Sequence, residues 1–423
     1  MTRMERFNAA LPALDKSQIA AVPDEWDRRG LPAWAYTNEE QLELERAILF
    51  RCHWQLAGHV SNAPEPGDYF CFDVAGERAI IVRGKDNQIR AFHNVCRHRG
   101  SRVVVNESGT CGSALVCPFH GWSYNLDETL RTVSQPRAVP KLDPVEQGLV
   151  PLEFEVWRGF MFVRFKPGPQ PAVSDILARH DAETALYRPS EAEPTGKGFW
   201  SQEIRSNWKC VRDVDNEGYH VPMAHPGLQD LYGENYFDEQ WKDGTARTFA
   251  PMKSDHNRLW SVRAYNTVLP EIDYLPESHR RAWLYIGMFP NLVLFFYPDS
   301  MGFYQEYPLA TDKTALRGAV YSIPSPDNGD ATFNRRLKAA QYLSQRIDND
   351  TSAEDIQLTV WSNEAAHSSG FQGFILSDLE YGVKQYHDQL RSVMPVLRQS
   401  EQPERGCLKS INKKLLGGQQ TAI

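Results

Sequence analysis

Between residues 96 and 122 the chain places two cysteines and two histidines in two short stretches, Cys96-Arg-His98 and Cys117-Pro-Phe-His120. Mixed thiolate and imidazole ligands at this spacing meet when the stretches form loops that close on each other around a metal. One zinc in a closed tetrahedron would satisfy four such ligands. So would a 2Fe-2S cluster with the cysteines on one iron and the histidines on the other. Zinc knuckles usually pair like ligands two to four residues apart, whereas each stretch here is mixed, and this favours the cluster. Gly100 and Gly121 follow the histidines, where a loop folding over a cluster needs backbone freedom.

The 423 residues are enough for two domains with sizeable cores. Apolar residues make up 41% and charged residues 24%, a globular balance. No apolar run approaches the roughly 18 residues of a membrane span. The opening residues, Met1 to Asn8, lack the continuous apolar stretch of a secretory leader, so the expected compartment is the cytoplasm. Cysteine usage agrees. Two of the seven are assigned to the cluster, and Cys52, Cys71, Cys111, Cys210 and Cys407 read as thiols, with no disulfides expected. A net charge of -8 argues against a nucleic-acid partner, which requires a basic face.

Thr37-Asn-Glu-Glu40 reads as a capping box opening a helix through Leu42, Leu44, Ile48 and Phe50. From Tyr69 to Leu126, short strand-like runs separated by glycine turns predict a small all-β domain that presents the two cluster loops between strands. Runs at 152–156 and 159–165 precede Lys166-Pro-Gly-Pro-Gln-Pro171, which marks a domain boundary. A helix from Ser174 is then expected, followed by strands at 260–265, 282–289, 292–297 and 316–323. Helices close the chain: 332–347, one from the capping box Thr351-Ser-Ala-Glu354, and one from Ser377-Asp-Leu-Glu380. The predicted fold class is α+β, an all-β domain followed by an antiparallel sheet with helices on one face.

A second constellation lies at Asn216-Glu217-Gly-Tyr-His220-Val-Pro222-Met-Ala-His225. Five positions on a regular helix turn one histidine about 140° from the other, so both reach one metal only if Pro222 ends or distorts the helix between them. Glu217 lies three residues before His220 and would share its helix face. A histidine pair of this spacing is weak evidence taken alone. An electron carrier fused to a large second domain needs an acceptor, and two histidines with one carboxylate are the usual non-haem iron site for oxygen activation. The candidate carboxylates are Asp348, Asp350, Glu354 and Asp355; Asp355 falls near the start of the helix expected from Thr351, where an ionised carboxylate is favoured.

The two motifs in this order, over roughly residues 35 to 395, resemble the oxygenase component (alpha subunit) of the Rieske non-haem iron oxygenases. Ala91-Phe-His-Asn-Val-Cys-Arg-His-Arg-Gly-Ser-Arg102, Cys117-Pro-Phe-His-Gly-Trp-Ser-Tyr124, Asn207-Trp-Lys209, Gly218-Tyr-His-Val-Pro222 and Glu354-Asp-Ile356 carry the resemblance. It implies a helical segment over 1–45 packing on the catalytic domain, a Rieske domain over 46–166 and a helix-grip catalytic domain over 172–423. It assigns Cys96 and Cys117 to one cluster iron and His98 and His120 to the other. His220, His225 and Asp355 are assigned to a mononuclear Fe(II). Glu217 takes the place of a carboxylate that bridges to the neighbouring subunit's cluster in a homotrimer. Three departures stand out. Glu217 replaces the commoner Asp, as in members resembling the quaternary-amine oxygenases. Arg212 to Asn216 differs from the usual segment. Ser101 and Phe119 replace the disulfide cysteines of respiratory Rieske proteins.

The resemblance further implies that O2 and a small organic substrate react by monohydroxylation, oxidative demethylation or ring cis-dihydroxylation. A methylated amine or betaine is favoured over an aromatic compound. A Rieske electron-transfer protein without chemistry is the competing reading. No dinucleotide fingerprint or plant-type ferredoxin cysteine set is present, so NAD(P)H would act only through a separate flavin/iron-sulfur reductase or ferredoxin. Aromatic residues of the second domain, Trp283, Tyr285, Phe295 and Tyr297 among them, divide between core packing and a possible cage for a quaternary ammonium group.

Overall fold

The computed structural model describes residues 22–253, 256–326 and 329–419, so the reading of the first residues lies outside the described part. The first long helix, Glu39–Glu45, is capped by Asn38, whose side chain accepts from the Gln41 amide at 2.8 Å. Thr37, the expected cap, is one position too early; the Asn38 carbonyl group has the better reach to the free amide of the first turn. The segment continues as a π-turn over Arg46–Phe50, burying Leu42, Leu44, Leu49 and Phe50.

The cluster-bearing part is all-β. Ile89–His93, Glu77–Arg83, Asp68–Val74 and Ser108–Thr110 form a four-stranded antiparallel sheet in that order. Leu115–Val116, Ser123–Tyr124 and Leu130–Thr132 form a smaller one. The loop carrying Cys96 and His98 leaves strand Ile89–His93, and Cys117 to Trp122 join the first two strands of the small sheet. A third sheet, Gln55–His59, Phe160–Arg164 and Glu153–Trp157, turns Leu56, Phe160 and Phe162 into a core shared with Ile286, Leu294 and Phe296 of the second domain. Apolar burial therefore joins the two halves directly.

The second domain is built on a seven-stranded antiparallel sheet. Its order is Glu193–Ile204, Lys313–Ser322, Ser300–Ala310, Leu292–Phe296, Ala282–Met288, Thr245–Pro251 and Phe237–Lys242. Strand alternation sends Leu284, Ile286 and Met288 into the shared core, and Trp283 and Tyr285 to the other face. Helices Trp260–Val268, Pro226–Leu231 and Ala331–Ala366 cover that face through Val262, Tyr265, Leu228, Leu231, Leu343 and Ile347.

Two expectations are overturned. Residues 260–265 are helical, because Val262, Tyr265 and Leu269 recur at helical spacing on a buried face, and Asp230 accepts from the amides of Arg258 and Leu259 at 2.8 Å each. Thr351 opens no helix. One helix runs from Ala331 to Ala366, capped by Asp330, and no Gly or Pro interrupts it. The Ser377/Glu380 capping box is present and leads into Tyr381–Val393. Strands at 193–204, 237–242, 245–251 and 300–310 escaped the sequence reading, since their polar residues, including the buried Gln305 and Glu306, mask the apolar alternation. No described helix is long and apolar enough to cross a membrane.

Helix Trp208–Asp215 leads into the histidine pair and is fixed by buried polar contacts. Asn207 caps it and donates to the carbonyls of Tyr36 and Thr311 at 2.8 and 2.7 Å. Lys209 Nζ pairs with Glu45 at 2.6 Å with both side chains excluded from solvent, and Trp208 Nε1 donates to the other Glu45 oxygen at 2.7 Å. Arg212 pairs with the buried Glu306 and with Asp215 at 3.3 Å, which accounts for the unusual segment at 212–216: its guanidinium has its counter-ion on strand Ser300–Ala310. Removing one partner of a buried pair strands the other charge, at a cost of about 3–5 kcal/mol. Lys209→Ala should therefore lower stability by about that amount in denaturant unfolding followed by tryptophan fluorescence. Lys209→Met combined with Glu45→Leu should recover most of the loss.

Candidate metal centres

His220 and His225 flank a one-turn helix, Val221–Ala224, with Pro222 in its first turn. This differs from the expected geometry. Pro222 does not break a helix that carries both residues; it starts a short one, where its fixed φ and missing N–H suit the first turn. Glu217 precedes that helix in a turn, and its carboxylate accepts from both the His220 amide (3.1 Å) and His220 Nδ1 (2.5 Å). Asp355 comes from the interior of the long helix.

These elements bring three donor atoms together. His220 Nε2 and His225 Nε2 are 2.9 Å apart, and Asp355 Oδ1 lies 2.9 Å from His225 Nε2 and 3.4 Å from His220 Nε2. Asp355 Oδ1 is buried without a well-directed hydrogen-bond donor, and the three atoms lie close enough together to share one ion. Bonds of about 2.1 Å from one first-row metal ion, at right angles, put neighbouring ligand atoms about 3 Å apart. The donor set fits a mononuclear iron, since two imidazoles and one carboxylate on one face are the ligands of the non-haem Fe(II) oxygenases.

Each histidine is also held from behind. Glu217 is placed to accept a hydrogen bond from Nδ1–H of His220, and Glu354 Oε2 from Nδ1–H of His225 at 2.9 Å, the tautomers that direct both Nε2 atoms at a metal. The sequence reading has Glu354 only as an alternative to Asp355 for the third ligand, not as a partner of His225. Adjacent helical residues point about 100° apart, so its neighbour Asp355 gave no sign that both face the histidines. Burial lowers the pKa of His220, but Asp355 and Glu217 outweigh it and hold the imidazole at about 10. At His225 burial likewise lowers the value, and Asp355 and Glu354 outweigh it, so the imidazole is raised above its ordinary range. Burial raises the Asp355 carboxyl, while the two histidines bring it below the usual carboxylate range. Its ionised form is thus favoured by the imidazoles. The N-terminal helix dipole anticipated from Thr351 is absent here because Asp355 lies mid-helix.

The other four sequence candidates share one tip of the all-β domain. Cys96 and Cys117 are buried, and the rings of His98 and His120 lie outside them with centroids 4.6 Å apart. The two loops have the same backbone form. Gly100 donates to the Cys96 carbonyl at 2.9 Å and Gly121 to the Cys117 carbonyl at 3.0 Å. Both glycines have positive φ, +74° and +69°, the freedom inferred from sequence. Tyr124 hydroxyl lies 3.2 Å from Cys96 Sγ and accepts from the Arg97 amide at 3.0 Å, and Trp122 stacks on His98 at 4.8 Å. Burial pushes the Cys96 thiol up, with Tyr124 opposing and Cys117 reinforcing the shift, so a thiolate there requires a positive charge beside it. Two sulfurs inside and two imidazoles outside suit a 2Fe-2S group better than a single closed tetrahedron.

Loss of a carboxylate behind a ligating imidazole typically costs 10–100-fold in metal affinity. Glu354→Ala should weaken binding at His220, His225 and Asp355 by about that factor, read by anaerobic ferrous titration. The visible absorption of the cluster should not change.

Comparison with known proteins follows this geometry. Residues 53–143 match the Rieske [2Fe-2S] domain family, and residues 192–396 match the family described as ring hydroxylating alpha subunit (catalytic domain). The oxygenase subunit of carnitine monooxygenase from Escherichia coli is 32% identical over 200 residues, 47% of this chain and 53% of that one. The glycine betaine monooxygenase oxygenase subunit of Pseudomonas aeruginosa is 32% identical over 198 residues, 47% of this chain and 45% of its own length. Chloroplastic choline monooxygenase of Spinacia oleracea is 34% identical over 230 residues, 51% of each chain. The match thus spans about half the length of these curated relatives. A solved quaternary ammonium Rieske monooxygenase shares the fold with a TM-score of 0.71 at 22% identity, over 86% of this chain and 94% of that one. Naphthalene 1,2-dioxygenase from Rhodococcus does so at 0.69 and 18%, over 88% and 95%. With its two family matches falling in turn on the two stretches that gather metal ligands, the chain belongs to the Rieske non-haem iron oxygenases, as an oxygenase (alpha) subunit.

Proposed function

We propose that the protein is the terminal oxygenase component of a system that hydroxylates or oxidatively demethylates a small amine-type substrate with O2. The observation that carries this reading is the convergence of His220 Nε2, His225 Nε2 and Asp355 Oδ1. A carrier that only relayed electrons would have no use for it. When bound, the 2Fe-2S group supplies single electrons and the mononuclear iron supplies oxygen activation.

The chain's own residues set the conditions for that chemistry. Cys96, His98, Cys117 and His120 are the proposed cluster ligands, with the cysteine side buried and the histidine side at the surface. Exposed imidazole edges are the route by which a separate reductase or ferredoxin, drawing on NAD(P)H, delivers electrons, and by which they leave. Glu217 and Glu354 fix the imidazole tautomers at the mononuclear site. Glu217 also stands where the family's bridging carboxylate stands. In a homotrimer it would link His220 to a neighbouring subunit's cluster. The amine reading is supported by the named substrates of the relatives, carnitine, glycine betaine and choline. The proposed compartment is the cytoplasm.

The test is O2 uptake by the iron-loaded protein with a Rieske-system reductase, over a panel of methylated amines, betaines, aryl ethers and aromatic acids, with formaldehyde and hydroxylated product measured. His220→Ala should abolish product and keep the cluster spectrum, whereas Cys96→Ser should remove that spectrum. Substrate-independent O2 uptake across the panel, or full turnover by His220→Ala, would overturn the proposal.

A further inference from the structure

The turn that presents Glu217 and His220 is gripped by two other parts of the fold, and both contacts are made at a glycine. One comes from helix Tyr381–Val393, which contains Gly382 in its first turn. A Cβ built on Gly382 would stand 2.6 Å from the Asn216 carbonyl oxygen, a backbone atom in the residue before Glu217. The other comes from Tyr236, next to strand Phe237–Lys242. A Cβ built on Gly218, the residue after Glu217, would stand 2.6 Å from the far edge of the Tyr236 ring. Side-chain carbons do not sit this close to packed atoms, so Glu217 is flanked by two points where only glycine fits.

Gly382 has no conformational need to be glycine. Its φ is not positive, and alanine forms helix more readily. What the fold uses is the close approach. The rest of helix Tyr381–Val393 is firmly seated: Tyr386 and Leu390 share a buried core with Trp208 and Cys210 of helix Trp208–Asp215. The Tyr386 hydroxyl donates to the Pro290 carbonyl at 2.9 Å, and Gln385 accepts from the Trp241 amide at 3.0 Å. His387 Nε2 meets Asp213 Oδ1 at 2.8 Å, so the two helices touch at Asp213 and again, three residues on, at Asn216.

The turn is the softer partner in this contact. The Asn216 amide reaches the Asp213 carbonyl at 3.3 Å, a long bond, and its side-chain Nδ2 is buried without a hydrogen-bond partner in the chain. A methyl group on Gly382 would therefore push Asn216 aside rather than unseat the helix that carries it. Glu217 follows directly in the chain. Its carboxylate meets the His220 amide at 3.1 Å and His220 Nδ1 at 2.5 Å, and both contacts need it in one place. A shift of Asn216 or Gly218 is thus passed to the ring that offers Nε2 to a metal.

We infer that Gly382 and Gly218 are positioning residues of the mononuclear metal site: by leaving out a Cβ on either side of the turn, they set where the Glu217 carboxylate stands and hence how His220 is held. Gly382 does this from a helix that contributes no ligand. The inference rests on the metal centre of His220, His225 and Asp355 and on no particular substrate.

The experiment is an anaerobic ferrous titration of the cluster-containing full chain, carried out as a double-mutant cycle on Gly382→Ala and Glu217→Ala. Losing the carboxylate behind a ligating imidazole costs about 10–100-fold in metal affinity, so Glu217→Ala should weaken binding by that factor and Gly382→Ala by about 10-fold. In the double variant Gly382→Ala should add less than about threefold, because the carboxylate it displaces is already gone. The visible absorption of the cluster should stay unchanged in all of them. A role in general packing alone would cost the same factor with or without Glu217. Gly218→Ala tests the other side independently: it should also weaken ferrous binding about 10-fold, and Tyr236→Leu in the same chain, which removes the clashing ring edge, should recover affinity to within about threefold of native. Native affinity in either glycine variant, equal losses across the cycle, a Gly382→Ala chain that does not fold, or no recovery with Tyr236→Leu would each overturn the assignment of the glycine concerned. A native protein that bound no ferrous iron would remove the metal centre and this inference with it, whereas native binding combined with any of the other failures would leave the centre standing.

Discussion

Two imidazole nitrogens and a carboxylate oxygen within 4.8 Å of one another form an arrangement that a folded chain must impose. Their lone pairs repel unless a proton or a metal ion lies between them, and protein supplies no such group of its own. The high proton affinity of His220, about 10, expresses this demand for positive charge. His220, His225 and Asp355 would meet the same demand by holding an iron, whose binding would have to displace protons. Much of the surrounding structure can be understood as the framework that holds these three atoms together.

That framework has two layers. Glu217 and Glu354 hold the outer ring nitrogens, so each imidazole has one orientation and one tautomer. Further out, helix Trp208–Asp215 is pinned at one end by Asn207 and along its length by the pairs of Lys209 with Glu45 and Arg212 with Glu306. Asp213 accepts from Tyr36 at 2.6 Å and contacts His387 at 2.8 Å, adding elements from both ends of the described chain. Buried ion pairs contribute little net stability compared with apolar packing, but they tolerate only one relative placement of their partners. Here that placement fixes the turn from which His220 emerges.

The candidate metal ligands could be picked out in sequence because their identities are chemically restrictive and most of them lie within a few residues of each other. Cys96 with His98, Cys117 with His120, and His220 with His225 each sit in one local segment. Glycines 100 and 121 were legible for the same reason, as a cluster loop needs positive φ close to its ligands. What sequence could not supply was direction. Glu354 reaches His225 from a position 129 residues away, and its contribution depends on how the long helix is rotated against the sheet. The spacing rule also misplaced the helix ends. Thr351-Ser-Ala-Glu354 has the residues of a capping box, yet packing of Leu343, Ile347 and Thr359 on either side carries the helix straight through it. Residues 260–265 alternate like a strand, and only the burial of Val262, Tyr265 and Leu269 on one side shows the helical period.

The uninterrupted helix has a functional consequence that a broken one would not. If a helix began at Thr351, Asp355 would stand in its first turn and Asp348 would belong to a different element with no fixed relation to it. In one straight helix of 36 residues the two carboxylates share a face and a set separation. One then joins the two histidines, and the other meets the Tyr297 hydroxyl nearly two turns away. A continuous helix spanning both points holds Asp355 against the two histidines without relying on a loop. The third carboxylate is thereby placed by the continuity of the helix, which no Gly or Pro interrupts even where capping residues invite a break.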